Sequence, residues 1–452
     1  MVGSEFGRIL VPVDNSRFSD ISLDIALRLA ERFGGAMVGF HAYAARLHEG
    51  RFRQLESSLP QRYQQPAVME RQRQAHASLI SQGLEIVSRS YLDGCAARCR
   101  EAGVAFQAKV AEGKNYAEIV KEAGNGYDLV VMGASGLGWE EGQPAGSVCL
   151  RVARRLTGMN IIVVREQTQF SGRIVVALDG SSFSQRGFLL ALALAKAFGG
   201  EVEAVSAYDP GLHNQVFRNL VGVLSEEAGQ MFHFEEQERL HEEVIDDGMA
   251  KLCREHLGWA ERFAAQEGVP FCGEVLKGKA TVTIARYVRQ RRPCLVVAGR
   301  FGAHQTEGLD LGSTTEALLL SSSSNLLIGS NRMPWSPRAQ ERLEQVPRGI
   351  MRELTRQRVE EMAKRLGEHT VTPEVVEAKY SQWADGSAKA ESQLAWTPPA
   401  RERVQRVPDF VRGMVSKSIE DYARRKGATE VTTELVDEAK AFWERTGTVH
   451  TS

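Results

Sequence analysis

The stretch RILVPVD at residues 8–14 recurs as RIVVALD at residues 173–179. Each copy runs on to a Phe-Gly-Gly, at residues 33–35 and 198–200. An apolar run rich in β-branched residues is typical of a strand buried on both faces of a sheet. Self-similarity at a constant spacing indicates that a whole domain has been duplicated.

Both copies alternate predicted strands with predicted helices. In the first copy the pattern predicts strands at 8–13, 36–43, 104–110, 128–133 and 160–165, and helices at 18–33, 76–102, 115–124 and 147–157. In the second it predicts strands at 173–178, 201–207, 270–275, 294–298 and 325–329. Strands joined by crossover helices form a doubly wound parallel sheet, so the fold class is α/β.

Three domains follow from this organisation. We expect α/β domains at residues 1–168 and 169–332, and an all-α domain at 333–452 made of similar units at 334–390 and 395–446. The last strands of the two copies are short and apolar and lie at sheet edges. Because pairing would satisfy their backbone groups, we expect the copies to pack together through these strands.

Composition narrows the class of protein. The formal net charge is −1, so we expect neither nucleic acid nor an anionic membrane as a partner. No apolar run approaches the length of a membrane span, and residues 1–6 lack an apolar signal core. The six cysteines form no C-x-x-C pair, which favours a cytoplasmic protein with reduced thiols and no metal site, Fe–S cluster or haem.

Each copy carries an insertion after its second strand. The first, at residues 45–75, is rich in arginine, and the second, at 209–238, is rich in glutamate. Two interpretations stay open. The insertions are separate helical segments exposed to solvent, or their opposite charges attract each other or a partner.

A glycine motif follows the fourth strand of each copy. The first reads VMGASG at 131–136 with Gly-Ser at 146–147, and the second reads VAGRFG at 297–302 with Gly-Ser at 312–313. Glycines let backbone N–H groups approach a phosphate, and a helix N-terminus attracts anions. Occurring twice between a strand and a helix, the G-x-x-G-x9-G-S pattern predicts an anion cradle. The alternative is that the glycines only make a tight turn.

These residues resemble the ATP-binding subgroup of the universal stress proteins, which have an adenine-nucleotide alpha hydrolase-like fold. The resemblance covers residues 8–166 and 173–330. It implies a site for ATP or a related adenine nucleotide, with or without Mg²⁺, in each copy. In the first copy the implied residues are Pro12, Val13, Asp14, Ala42, Gly133, Gly136, Gly146, Ser147 and Val148. In the second they are Ala177, Leu178, Asp179, Ala207, Gly299, Gly302, Gly312, Ser313 and Thr314.

The nine-residue segments inside the motifs depart from the family pattern. They carry Glu140, Glu141, Glu307 and Asp310, which would repel a triphosphate unless a divalent cation intervenes or the side chains point away. Arg300 is the one nearby cation, and we add it to the expected nucleotide-binding residues of the second copy.

The tail is itself duplicated. Trp335-Ser336-Pro337 recurs as Trp396-Thr397-Pro398, and Val371-Thr372 recurs as Val431-Thr432. Each unit is predicted as two helices separated by a short extended stretch, with a linker at 385–387 between the units. The units resemble the small helical domain at the C-terminus of one of the subunits of light-independent protochlorophyllide reductase, although residues 334–452 contain no cysteine.

Three functions are compatible with this organisation. The leading hypothesis is a nucleotide-binding stress-response or regulatory protein, forming homo-oligomers and binding a protein partner through the tail. The alternatives are a slow ATPase or other nucleotide-dependent enzyme, and a scaffold that has lost nucleotide binding. Only Asp14 and Asp179 are placed to act as bases, and they more readily hold a ligand or shape a turn, so we assign no catalytic residue.

Overall fold

The computed structural model forms two compact units, one of residues 2–123 and 127–331 and one mainly of residues 332–452. It describes residues 6–138, 145–166, 169–210, 246–303, 310–330, 333, 335–346, 350–366, 368, 371–388, 394–405, 407 and 409–446.

Ten strands of the first unit form a single sheet. Repeat one supplies β1 (Arg8–Pro12), β2 (Ala36–Tyr43), β3 (Phe106–Glu112), β4 (Leu129–Gly133) and β5 (Asn160–Val164). Repeat two supplies β6 (Arg173–Ala177), β7 (Glu201–Tyr208), β8 (Phe271–Lys277), β9 (Leu295–Gly299) and β10 (Asn325–Gly329). All ten lie within a few residues of their predicted positions.

Helices cover both faces of the sheet. They are α1 (Arg17–Phe33), α2 (Ala45–Leu55), α3 (Pro66–Glu101), α4 (Asn115–Ala123), α5 (Ser147–Arg155), α6 (Ser182–Phe198), α7 (Asp246–Glu267), α8 (Ala280–Arg291) and α9 (Ser313–Ser321). One buried core joins α1, α3, α6 and α7 to the sheet, and a second joins α4, α5, α8 and α9 to the opposite face.

The strand order is β3-β2-β1-β4-β5-β10-β9-β6-β7-β8. Strands within a repeat are parallel, whereas β5 and β10 are antiparallel, with Leu327 opposite Ile162. The prediction that the two copies pack through their fifth strands is therefore confirmed. This pairing removes two edges and makes one continuous sheet.

The long helix after the basic insertion of repeat one begins earlier than predicted. The helix predicted at 76–102 begins at Pro66, where proline stands in the first turn and costs no hydrogen bond. The first part of the insertion adds α2 and two single-turn 3₁₀ helices. The acidic insertion falls almost entirely outside the described residues, so the predicted attraction between the insertions stays a prediction.

The second unit is helical and duplicated. Its helices are α10 (Pro337–Glu344), α11 (Ile350–Arg365), α12 (Pro373–Ala388), α13 (Pro398–Gln405), α14 (Asp409–Arg425) and α15 (Thr433–Thr446). The prediction of a linker at 385–387 is wrong, because α12 continues through these residues. Across the described part of the chain, no helix combines the length and apolarity needed to cross a membrane.

The tryptophan motifs fix each half of this unit in the same way. Trp335 pairs with Val371 through an isolated parallel bridge, and β11 (Ala395–Trp396) pairs with β12 (Glu430–Val431). The indole of Trp335 donates to Glu360 at 2.9 Å. In the second half the indole of Trp396 donates to Glu420 at 2.8 Å. The predicted extended stretches therefore pair with the segments that carry the tryptophans.

Candidate functional site

The carboxyl ends of the central strands bring the predicted residues together. We call the cluster in repeat one site one and its counterpart in repeat two site two. In repeat one, β1 lies between β2 and β4, and the Val13 N–H donates to the Phe40 carbonyl. In repeat two, the Leu178 N–H donates to the Val205 carbonyl in the same way. Each glycine motif therefore begins beside the end of the first strand, where the crossovers change face and open doubly wound sheets bind ligands.

A carboxylate bridges two loops at each site. The Asp14 carboxylate accepts the Ser16 N–H at 3.0 Å and the Leu137 N–H at 3.3 Å. The Asp179 carboxylate accepts the Ser181 N–H at 3.0 Å and the Ala303 N–H at 2.7 Å. Each aspartate thus joins the turn after its first strand to the glycine loop.

The glycines of the motif divide into two kinds. A Cβ at Gly133 would lie 2.6 Å from Phe18 Cβ, and one at Gly299 would lie 2.8 Å from backbone carbon of Phe183. These two glycines are needed for close packing of strand against helix. A Cβ at Gly146 would meet nothing nearer than 3.4 Å, so packing alone does not require glycine there.

Helices α5 and α9 begin without a side-chain cap among the described residues. Gly146 and Gly312 occupy the N-cap positions, and their N–H groups close the loop by donating to the carbonyls of Ala134 and Arg300. The side chains of Ser16 and Ser181 cap α1 and α6, whereas α2, α3 and α8 also begin without a side-chain cap but have no glycine at the N-cap. The first-turn N–H groups of α5 and α9 have no intrahelical acceptor. These groups belong to Ser147, Val148, Ser313 and Thr314.

The structure directs Arg300 away from the open side of the glycine loop. Its side chain is fully buried, and its guanidinium donates to the carbonyls of Ala153 and Leu156 in repeat one. Burial lowers the pKa of Arg300 to about 10, against an opposing contribution from Asp310. The expected phosphate-binding cation is thus committed to backbone carbonyls.

Among the acidic residues expected to repel phosphate, Asp310 is exposed to solvent. Its backbone carbonyl accepts a hydrogen bond from Arg300 Nη1 at 3.2 Å. The other three, Glu140, Glu141 and Glu307, lie outside the described residues.

A cavity of about 480 Å³ opens at site two. Its lining includes Asp179, Gly180, Gly302 and His256, the last from α7. A Cβ at Gly180 would collide with the His256 imidazole, so this histidine packs directly on the turn. Sequence reasoning missed His256, because a lone histidine on a helix carries no motif.

A cavity of about 550 Å³ lies elsewhere in repeat one, between α3 and the ends of β2 and β3. Tyr43, Glu85 and Glu112 are among its lining residues, and none of the predicted site residues is. We therefore place the candidate site by the glycine loops rather than by cavity size.

Comparison with known families agrees with this architecture. The universal stress protein family matches residues 5–165 and 171–328, and the chain belongs to that family. Among solved structures, a universal stress protein from Archaeoglobus fulgidus DSM 4304 is 16% identical, covering 72% of this chain and 98% of that one with a TM-score of 0.46. Universal stress protein UspA from Lactobacillus plantarum is 20% identical, covering 35% and 98% with a TM-score of 0.27.

The tail matches a second family twice. The proto-chlorophyllide reductase 57 kD subunit family matches residues 335–379 and 396–440. The matching subunit of light-independent protochlorophyllide reductase from Heliobacterium modesticaldum is 39% identical over 64 residues, which is 14% of this chain and 12% of that protein. Its equivalent from Synechococcus sp. (strain JA-3-3Ab) is 44% identical over 54 residues, 12% of this chain and 11% of that protein. The chain therefore covers only about an eighth of the length of these relatives.

Proposed function

We propose that this protein binds an adenine nucleotide, ATP or a related one, at both sites and acts as a stress-response or regulatory protein. The observation that carries the proposal is that α5 and α9 begin directly after a glycine loop and have no side-chain cap at their N-termini. Each helix follows a G-x-x-G loop, has glycine at its N-cap, and offers first-turn N–H groups instead of a capping side chain. Such donors bind phosphate oxygens, and the helix dipole adds a favourable field.

The aspartates favour binding over hydrolysis. Asp14 and Asp179 each accept two backbone N–H groups, so their carboxylates hold the two loops in register. A hydrolytic base would have to reach an attacking water near the phosphates instead. The adenosine end would lie against the ends of the first and second strands, and Mg²⁺ would offset the acidic residues of the loops.

The test is calorimetric titration of the full-length protein with ATP, together with mass spectrometry of small molecules released from freshly purified protein. We expect two binding sites, and one site in each of the variants Gly146→Val and Gly312→Val. A protein that releases no nucleotide and gives no binding heat with ATP, ADP or AMP would instead support the scaffold alternative.

The helical tail is proposed to bind a protein partner in the cytoplasm and to contribute to homo-oligomer formation. Its two similar halves each have their own small core, around Val359 and Tyr380 in one and Ile419 and Tyr422 in the other. Expressing residues 1–333 and 334–452 separately tests this modular view. We expect 1–333 to keep its nucleotide affinity and 334–452 to be helical; loss of either would contradict it.

A further inference from the structure

Arg300 connects the glycine loop of repeat two to a helix of repeat one. It lies between Gly299 and Gly302 in sequence, yet its side chain has 0% exposure. Nη1 donates to the Ala153 carbonyl at 2.7 Å, and Nη2 donates to the Leu156 carbonyl at 2.5 Å. The guanidinium therefore binds two backbone carbonyls of the other repeat, while Nη1 also donates to the Asp310 carbonyl of its own repeat and Nε has no partner among the described residues.

The acceptors lie at the C-terminal end of α5. The last carbonyls of a helix lack intrahelical donors and carry partial negative charge. The N–H of Thr157 donates to Arg155 and so leaves the Ala153 carbonyl to Arg300. The guanidinium therefore provides the donors and the positive charge that this helix end needs.

The other end of the same helix belongs to site one. Helix α5 runs from Ser147 to Arg155, roughly 13 Å at 1.5 Å per residue, and begins at the Gly146 cap. A short helix moves as a rigid body, so fixing its C-terminal end also fixes its first-turn N–H groups. We propose that Arg300 is a positioning residue for the nucleotide site of repeat one, supplied by the glycine loop of repeat two.

Among the described residues, the contact in the opposite direction does not come from the glycine loop of repeat one. The residue of repeat one equivalent to Arg300 is Ala134, whose methyl group cannot reach a helix in repeat two. Helix α9 is contacted instead by Arg165, which donates to the Leu319 carbonyl at 2.5 Å and lies outside the glycine loop. Because Arg300 is part of the site-two loop, a nucleotide bound there should alter affinity at site one, and linkage makes that coupling reciprocal.

This inference rests on the proposed function, and the test uses ATP with the full chain. Site one is measured by calorimetry in a Gly312→Val background, where site two is closed. Because a Cβ at Gly312 would lie 3.1 Å from the Arg300 carbonyl, each Arg300 variant is compared with Gly312→Val alone. We expect Arg300→Met to weaken ATP binding at site one about tenfold. Arg300→Lys retains the charge but has a single donor nitrogen in place of the guanidinium fork, and should weaken binding about threefold. In the unsubstituted chain, ATP bound at site two should change the ATP affinity of site one about fivefold. This factor is at the low end of known allosteric couplings.

Arg154→Met is the matched control. Arg154 lies on α5 and pairs with Glu316 of α9 across the same boundary, but it is half exposed and leaves the helix carbonyls untouched. Site-one affinity should stay within twofold in this variant, because exposed ion pairs contribute little.

The outcomes separate the two proposals. If Arg300→Met lowers affinity only at site two, measured in a Gly146→Val background, the positioning role is overturned and nucleotide binding stands. If the unchanged chain binds no ATP, the proposed function fails instead. Should Arg300→Met fail to fold by circular dichroism, Arg300→Lys decides: unchanged site-one affinity refutes the role, and the threefold loss supports it.

Discussion

Valine at Gly146 would separate a phosphate cradle from a simple tight turn. The cap has φ −63° and ψ 154°, a conformation that any residue adopts, and a Cβ there would meet its nearest neighbour at 3.4 Å. Glycine and valine differ as caps by about 1 kcal/mol or less, so the fold should survive. A Cβ there would face Ala134 and Ser135 of the glycine loop, and we expect the added methyl groups to exclude a phosphate from the N–H groups of Ser147 and Val148.

The expected loss of binding follows from those two donors. A hydrogen bond to a charged group contributes about 1.5–3 kcal/mol, so losing two costs about 3–6 kcal/mol. At 1.4 kcal/mol per tenfold, ATP affinity at site one should fall by about 10²–10⁴-fold. Calorimetry of the full chain should then report one site instead of two, with site two still occupied.

The contrasting variant is Gly133→Ala in the same loop. Its Cβ would lie 2.6 Å from Phe18 Cβ and 2.9 Å from the Ser135 carbonyl, so it should cost about 1–3 kcal/mol of stability in urea unfolding. If Gly146→Val binds two ATP molecules with unchanged affinity, the cradle is refuted. If it is destabilised as much as Gly133→Ala, the glycine serves the turn.

Three further predictions concern pH and stability. Burial lowers the pKa of His41, against a smaller opposing effect of Asp14, so the unfolded chain binds the proton more readily than the folded one. The free energy of unfolding in urea should therefore fall as pH drops below about 6.5, and His41→Asn should flatten that fall; an unchanged slope would contradict this origin. Leu327→Ala removes a fully buried side chain where the repeats pair and should cost about 2–5 kcal/mol, measured by urea unfolding; a loss under about 1 kcal/mol would mean the boundary is loosely packed. Glu420→Ala leaves the Trp396 indole N–H without its acceptor and should destabilise the tail by about 1–3 kcal/mol in fluorescence-monitored melting, whereas no change would show that this bond is replaced by water.

Several features were predictable because their signals are local. The strands predicted at residues 8–13 and 173–178 are continuous apolar runs after a leading arginine, which only a sheet covered on both faces accommodates. The duplication and the glycine loops are repeated patterns, readable without contacts. Pairing through the fifth strands was also predictable, since each is a short apolar strand at a sheet edge.

Contacts between distant residues were decided only by the tertiary structure. Arg300 was predicted as a phosphate ligand because it lies inside a glycine motif, but its acceptors belong to Ala153 and Leu156 in the other repeat. His256 became a site residue only when α7 packed on the turn at Gly180. A local pattern specifies backbone geometry, whereas the direction of a long side chain depends on which carbonyls, charges and cavities the packed helices bring within its reach.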